Sequence, residues 1–519
     1  MSQVKIKRAL ISVSDKAGLA ELGRALAKLG VEIISSGGTG KFLQDNGIAF
    51  TPIEKVTGNP ECFGGRMKTI SFEVASALLF RREHEGDVKE AEKLGITAID
   101  LVVCNLYPFE ETAKKGAAWD ELIENIDIGG PTLIRAAAKN YNHVAVATDP
   151  SQYAVLMSGE TNLEQRQVLA MEAFRHTARY DGMVATKMEE KAGEELHTVV
   201  LAPKGAKVLR YGENPHQKSW VYTDPFNSGI AGIEPLQGKE LSYNNLLDAD
   251  AAWRCCGDLG ALKVRGAECT VAIIKHLSPC GVAGAKTPIA ALELAWAGDP
   301  VSSFGGILCF NREVGEDIAL WLKDKFVEVI LAPSFSVRAR ELFSAKKNLR
   351  LLAVASYDGT YKPPIVRSIS GGWVVQQEDT GADGDLKLVT HAGFPAEKSD
   401  AARFGIMACK HLKSNAIGLF RQDDKGLSMV GAGMGNPNRL VSMKQAVDKA
   451  HENGHRDLSD VVLVSDAFFP FADNIGIAKE AGICFIVQPG GSVNDNQVIS
   501  ACEDGKIAMV FTGRRHFRH

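Results

Sequence analysis

The feature that most constrains this chain is a strict alternation of short apolar runs with amphipathic stretches over its first 150 residues. Ala9–Val13 reads ALISV, a strand-length run, and Leu19, Leu22, Leu26 and Leu29 then recur at helical spacing along one face. Gly30 stands where a helix C-terminal cap is expected. Val31–Ile34 is the next strand and runs into Ser35-Ser36-Gly37-Gly38-Thr39-Gly40, after which a short helix is expected. Ile99–Val103, ending at Cys104-Asn105-Leu106-Tyr107-Pro108, and His143–Ala147 read as further strands, and Pro131 opens a helix between them. Strand, helix, strand, glycine loop, helix predicts a parallel α/β sheet.

The same grammar returns at the far end of the chain. Within 461–512, VVLV runs into Ser465-Asp466, a helix is expected over about 473–481, and CFIV runs into Gly490-Gly491-Ser492. Open α/β sheets bind ligands at the carboxyl ends of their strands, and glycine turns let backbone N–H groups approach an anion. One such loop is usually only a turn; two of them suggest two anion sites. Between these blocks, residues 155–196 read as helical and rich in Glu, Arg and Met. A second α/β block begins near 198–210, with strands at 271–274 and 307–310, and 334–402 reads as loop-rich around Gly371-Gly372. The expected division is therefore 1–150, a helical connecting region 151–200, and 201–519, in keeping with about three folding units for 519 residues.

Composition excludes several classes of function. The net charge of −4 lacks the basic excess of a dedicated nucleic-acid binder. It leaves room for small anionic substrates, because a local pocket can be cationic on a near-neutral protein. No apolar run reaches the ~18 residues of a membrane span. The start, MSQVKIKRALISVSDKAG, passes directly into a strand pattern without a signal-peptide core, so a cytoplasmic location is expected. The ten cysteines form no Cys-x-x-Cys pair and are expected to be buried small hydrophobes, Cys255 and Cys256 included.

Twelve segments then occur in order: VSDKAGL, ISSGGTGKFL, VTGNPECFGGRMKT, NLYPFEET, ENIDIGGPTLIRAAAKN, LRYGENPHQ, KHLSPCGVA, DPVSSFGGI, KSNAIGL, SDAFFPFADNI, QPGGSVND and FTGRRHFRH. Together they resemble the bifunctional purine biosynthesis enzymes, which join AICAR transformylase to IMP cyclohydrolase, from about residue 8 to His519. The resemblance implies an N-terminal α/β domain like methylglyoxal synthase, with a parallel sheet. It also implies a transformylase region of two cytidine-deaminase-like α/β subdomains. The implied chemistry is formyl transfer from 10-formyltetrahydrofolate to AICAR, giving FAICAR, followed by cyclisation and dehydration to IMP. The implied assembly is a homodimer with transformylase sites at the interface, and a potassium dependence is left open.

For ring closure, the resemblance carries nucleotide binding to Ser14, Asp15, Lys16, Ser36, Gly37, Gly38, Thr39, Arg66, Thr69, Cys104, Asn105 and Ile128. It carries catalysis to Lys68, Tyr107, Asp127 and Lys139, with Lys139 as proton donor and acceptor. These residue types suit the task. A phosphate wants amides, hydroxyls and a cation, and the attack of a carboxamide nitrogen on a formyl carbonyl develops oxygen charge that fixed donors stabilise. By default Lys139, after an alanine run, is a solvated helix charge and Asp127, before Gly129-Gly130, a turn or cap residue. In the same way formyl transfer centres on Lys275 and His276. Histidine suits the base that takes the proton of a weakly nucleophilic amine, and a neighbouring ammonium suits charge stabilisation. Lys410-His411 is a second such pair and is read as non-catalytic. Arg210, Tyr211, Gly305, Glu328, Asn415, Phe468, Asp473, Gly490, Gly491 and Arg515 are implied nucleotide contacts, and Arg439 a folate contact. A deaminase-type zinc site needs Pro-Cys-x-x-Cys; here Pro279-Cys280 is followed by Gly281-Val282-Ala283, so no zinc is expected.

Two departures stand out. Residues 70–79 read ISFEVASALL where the family carries a segment like LHPKIHGGIL, and GAGMGNPNRLVS has two residues more than the usual run before Arg439. The first motivates an alternative, a transformylase with an impaired cyclohydrolase domain. A third reading, a non-catalytic nucleotide-binding protein, is disfavoured because the acid–base residues are present beside the phosphate binders.

Overall fold

A computed structural model describes residues 3–193, 204–224, 229–357, 364–380 and 385–519. The chain forms two compact units, residues 1–205 with 223–226 and residues 206–222 with 227–519.

The N-terminal unit is built on a five-stranded parallel sheet. Its spatial order is Thr51–Pro52, Glu32–Ser35, Arg8–Ser12, Leu101–Cys104, Ala145–Ala147. The strands are apolar on both sides because both faces are covered. Leu10, Ile34, Val102 and Val146 enter one core, while Ala9, Ile11, Ile33, Leu101 and Val103 enter the other. The first strand is central, and the chain runs outward to one edge and then to the other. This creates a switch point between Arg8–Ser12 and Leu101–Cys104, where such sheets form crevices.

The region expected to be a helical connection is helical and packs on the N-terminal sheet. Residues 163–192 form one helix, Leu163–Ala192, opened by a reciprocal cap between Asn162 and Gln165. Its Ala170, Ala173, Tyr180 and Met183 belong to a core of the N-terminal sheet. The fully buried Arg166 donates to the carbonyls of Tyr141 (2.8 Å), Asn142 (3.0 Å) and Thr161 (2.6 Å). The charged composition that suggested a linker belongs to the helix's outer face; its inner face is a structural layer. The expected boundary at 200/201 lies outside the described residues.

The C-terminal unit centres on one eleven-stranded sheet with an internal repeat of topology. In the first half, Cys269–Lys275 and Ser278–Ala285 form a hairpin, Ile307–Phe310 pairs antiparallel with the first of these, and Val329–Ala332 and Arg350–Ala353 follow in parallel. In the second half, Ile417–Gln422 and Gly426–Gly433 form the hairpin, Val462–Ser465 pairs antiparallel, and Phe485–Gln488 and Ala508–Phe511 follow in parallel. The halves join through Ser278–Ala285 and Gly426–Gly433. Each hairpin even carries its irregularity at the matching place, after Ile273↔Gly281 and after Leu419↔Gly431. At both glycines a helix backbone crosses closely. A Cβ on Gly281 would lie 2.0 Å from the Ala295 carbonyl oxygen, and one on Gly431 2.3 Å from that of Ala446. The stretch read as loop-rich holds a helix, Val337–Phe343, and a hairpin, Ile365–Ile369 with Gly372–Gln376, turned by Gly371 at φ +87°.

Candidate active sites

The switch point of the N-terminal sheet opens into a cavity of about 650 Å³. Two helix N-termini face it, Gly37–Asp45 through Gly37, Gly38 and Thr39, and Gly129–Lys139 through Gly129 and Gly130. Their free amides and aligned peptide dipoles favour an anion. Asn105 shapes the opposite wall: its Oδ1 accepts from the N–H groups of Ser14 (2.6 Å) and Asp15 (3.0 Å), and its Nδ2 donates to the Asp15 carbonyl (3.0 Å). Lys68 reaches over two glycines. Its Cε would be 2.9 Å from a Cβ on Gly65 and its Nζ 3.4 Å from one on Gly37, and both glycines have left-handed backbones, at φ 96° and 51°. The ammonium is 3.2 Å from Glu61, and Arg66 pairs with Glu124.

Asp127 sits at the head of the helix Gly129–Lys139. Its Oδ1 accepts from the Gly130 N–H (2.7 Å), and its own N–H donates to the Tyr180 hydroxyl (2.7 Å), which in turn donates to the Asn125 carbonyl (3.1 Å). Burial raises the Asp127 carboxyl from its ordinary value, against the pull of the Gly130 and Tyr107 N–H groups.

The cavity brings together Ser14, Lys16, Ser36, Gly37, Gly38, Thr39, Arg66, Lys68, Thr69, Asn105, Tyr107, Asp127 and Ile128. Three expected residues are not on its wall. Asp15 faces solvent and caps its own turn, accepting from the Ala17 N–H (2.9 Å). Cys104 is buried beneath the floor, its thiol pushed up by burial and then by Asp127. Lys139 ends the helix whose other end faces the cavity. Ten residues at 1.5 Å each separate it from Gly129 by about 15 Å. Its exposed side chain occupies the helix C-terminus, where a cation is favoured by the macrodipole. Sequence reasoning missed Gly64, Gly65, Ile70 and Glu124, which also line the cavity; the glycine pair in ECFGGRMKT was the available signal. The altered segment forms a helix, Phe72–Leu79, capped by Ser71 Oγ accepting from the Val74 N–H (3.2 Å), with Val74, Ala77 and Leu78 buried.

In the C-terminal unit a second cavity, about 510 Å³, is lined by Lys275, His276, Ser278, Cys280 and Ser302, and across from them by Gln445, Asp448, Lys449 and Glu452. His276 is exposed to it. Lys275 Nζ donates to the Phe304 carbonyl (2.9 Å). Gly305 follows at φ +76°, its N–H donating to the Phe326 carbonyl (2.8 Å), and the Glu328 N–H donates to the Gly306 carbonyl (3.2 Å). Lys275, Gly305 and Glu328 therefore stand at one end of neighbouring strands, with the Glu328 carboxylate paired to Arg350 (2.5 Å). Burial pushes the Cys280 thiol up to about 12, so without a bound cation it is a neutral thiol.

Neither Gly305 and Glu328 nor the remaining expected contacts line that cavity. Asn415 Nδ2 donates to the carbonyls of Asn436 (2.9 Å) and Pro437 (3.1 Å). Arg439, expected at the folate, is buried in an ion pair with Asp466 (2.7 Å) and donates to Ser465 Oγ (3.1 Å). Within the chain its guanidinium is thus held by a buried carboxylate and a hydroxyl. Asp473 opens the helix Asp473–Glu480. The Gly490 and Gly491 amides, expected to cradle an anion, are met by Gln488 Oε1 (3.3 Å) and Asp495 Oδ2 (2.7 Å). Phe468 is half-buried, and Arg210 and Arg515 stack on Tyr211 and Phe517 at 4.7 and 4.8 Å. The second lysine–histidine pair is buried structure. His411 Nε2–H donates to Asp258 (2.8 Å), and Lys410 pairs with the same carboxylate (2.6 Å). Arg518 can only donate, so His411 Nδ1 accepts from it (3.2 Å) and the ring is neutral.

Comparison with known proteins agrees with both units. A family model described as AICARFT/IMPCHase bienzyme matches residues 137–449, and one described as an MGS-like domain matches residues 18–132. The bifunctional purine biosynthesis protein PurH of Persephonella marina is 44% identical over 525 residues, covering 99% of this chain and 100% of that protein. Those of Aquifex aeolicus and Roseobacter denitrificans are 43% identical over 524 and 531 residues, each covering 99% of this chain and 100% and 99% of themselves.

Proposed function

The chain belongs to the bifunctional purine biosynthesis family, and we propose that it divides that family's two reactions between its two cavities, ring closure in the N-terminal one and formyl transfer in the C-terminal one. It formylates AICAR and cyclises the product to IMP in de novo purine synthesis, with 10-formyltetrahydrofolate as co-substrate. The observation that carries the division is that each cavity holds its own acid–base pair, Lys68 with Asp127 and Lys275 with His276.

In the first cavity the two helix N-termini and Arg66 hold the nucleotide phosphate. The carboxamide nitrogen attacks the formyl carbon, Lys68 and Tyr107 stabilise the developing oxygen charge, and Asp127 exchanges the proton before water leaves. Lys139 takes no direct part within its own chain. In the second cavity the amine of AICAR attacks the formyl carbon of the folate and gives its proton to His276. Lys275 stabilises the oxyanion, and the bond to the folate N10 breaks as that nitrogen is protonated.

A homodimer is part of the proposal. Within one chain, Asn415, Asp473, Gly490, Gly491, Arg210 and Arg515 do not converge on Lys275 and His276, while Val301, Phe304 and Phe326 beside that centre are exposed. A second copy supplying the missing nucleotide contacts accounts for both. The proposal includes no zinc, because Pro279-Cys280 is followed by Gly281-Val282-Ala283 and lacks the second cysteine of a deaminase-type site, and potassium dependence is to be assayed. No helix among the described residues is long and apolar enough to cross a membrane. The ten unpaired cysteines support a reducing, cytoplasmic setting.

The test is to assay both reactions on one purified preparation. His276→Ala is expected to abolish formyl transfer and leave conversion of FAICAR to IMP intact, and Lys68→Ala the reverse. Loss of both reactions in either folded variant overturns the division.

A further inference from the structure

The turn that carries His276 is two residues long. Lys275 pairs with Ser278 across the hairpin, so His276 and Leu277 alone make the connection. Both have left-handed backbones, at φ 54° and 63°. A hairpin turn with both central residues left-handed is served by Asn-Gly or Gly-Gly; histidine and leucine oppose it, because their Cβ atoms crowd the backbone. Leu277 also packs against the core and is not a free surface residue.

One side chain holds this turn. The Leu277 N–H donates to Oδ1 of Asp248 (2.6 Å) and the His276 N–H to Oδ2 (3.3 Å). Asp248 lies in the second turn of the helix Tyr243–Ala261, whose start is fixed by a reciprocal cap between Ser242 and Asn245 and whose next residue, Ala249, is fully buried. The carboxylate does not line the cavity that His276 faces. It grips the backbone of the turn from behind and fixes where the imidazole starts.

We propose that Asp248 is a positioning residue for formyl transfer, acting by clamping the left-handed His276-Leu277 turn so that the imidazole stands in register with Lys275. The proposal rests on the reading of His276 as the base. Displacing a reacting group by about 1 Å costs on the order of 100-fold in rate, and Asp248 supplies the two acceptors that oppose that displacement.

The test is a double-mutant cycle on the full chain, with cyclisation of FAICAR in the N-terminal cavity as the internal control for folding. Asp248→Ala is expected to lower the transformylase kcat about 10- to 100-fold, with the KM for AICAR and the cyclohydrolase rate little changed. Glycine adopts a left-handed backbone without strain. In a Leu277→Gly background, the further loss caused by Asp248→Ala is therefore expected to shrink several-fold. A full transformylase rate in Asp248→Ala, alongside an inactive His276→Ala, overturns the positioning role and leaves the base reading standing. A loss of equal size in both backgrounds also overturns it, since the carboxylate then acts otherwise than through the turn. An active His276→Ala overturns the underlying reading.

Discussion

Lys68 and Lys139 are both lysines of the N-terminal unit, and they differ in what lies within reach. Lys68 is folded across Gly65 and Gly37 into the cavity, in company with Asp127 and Tyr107. Lys139 stands at the exposed end of a helix about 15 Å along its axis. Lys68→Ala is accordingly expected to reduce cyclohydrolase kcat by about 100-fold or more. Lys139→Ala should change it by less than about 2-fold, as a surface helix charge does. Following IMP formation by ultraviolet absorbance decides between them, and a large loss in Lys139→Ala would contradict the assignment. Arg439 has the same lesson in reverse. Truncating it leaves Asp466 buried without its partner, so Arg439→Ala is expected to destabilise the C-terminal unit by about 3 kcal/mol, seen as a lowered urea midpoint.

At the scale of elements, the two hairpins of the large sheet demand glycine because a helix backbone crosses each at the same place. Gly281→Ala and Gly431→Ala force a methyl group against the carbonyls of Ala295 and Ala446. Each is expected to cost about 2–4 kcal/mol, lowering the melting temperature measured by calorimetry. An unshifted transition would show that the helices move away freely. The helix Phe72–Leu79 is a gentler case. Ser71→Ala removes its cap and is expected to cost about 1 kcal/mol, with heat inactivation of the cyclohydrolase hastened more than that of the transformylase. Because this segment folds as a capped helix with a buried face, its departure from the family pattern is compatible with an intact fold around Lys68 and Thr69.

At the scale of the whole molecule, the C-terminal tail is anchored rather than frayed. His516 Nδ1 meets Asp379 (2.7 Å), the Arg518 carbonyl accepts from the Ser414 N–H (2.8 Å), and Arg518 donates to His411. Burial, aided by Arg518 and Lys410, pulls His411 down to about 4 despite Asp258. Burial alone would raise the Asp258 carboxyl, but His411 and Lys410 bring it down to about 2. Both signs point the same way. From the ordinary histidine value near 6.5 down to about 4, the unfolded chain binds a proton at His411 that the folded chain refuses, so stability falls with pH. Below the ordinary carboxylate value near 3.8 the Asp258 contribution is lost as well. The urea midpoint is expected to drop between pH 6.5 and 4, and to drop less in His411→Gln. Equal slopes in the two proteins would remove the tail cluster as the cause.

How much of this was legible beforehand follows from the range of the interactions. The N-terminal strands and helix, the glycine loop and the helix over Asp473–Glu480 depend on local apolar periodicity and capping, and their residues could be read in order along the chain. So could the family, because twelve short segments each preserve local chemistry. Position along a helix axis, burial of a charge and closure of a hairpin are decided by what packs from elsewhere. No local pattern places Lys139 away from the cavity, commits Arg439 to Asp466, or brings Asp248, 28 residues before His276, to hold the His276-Leu277 turn. The sequence by itself determined the architecture, the chemistry and most of the residues of the first cavity, because those are written in local periodicity and short motifs. Only the tertiary structure decided which side chains face each cavity and which spend their charge holding the fold, because that depends on contacts between residues far apart in the chain.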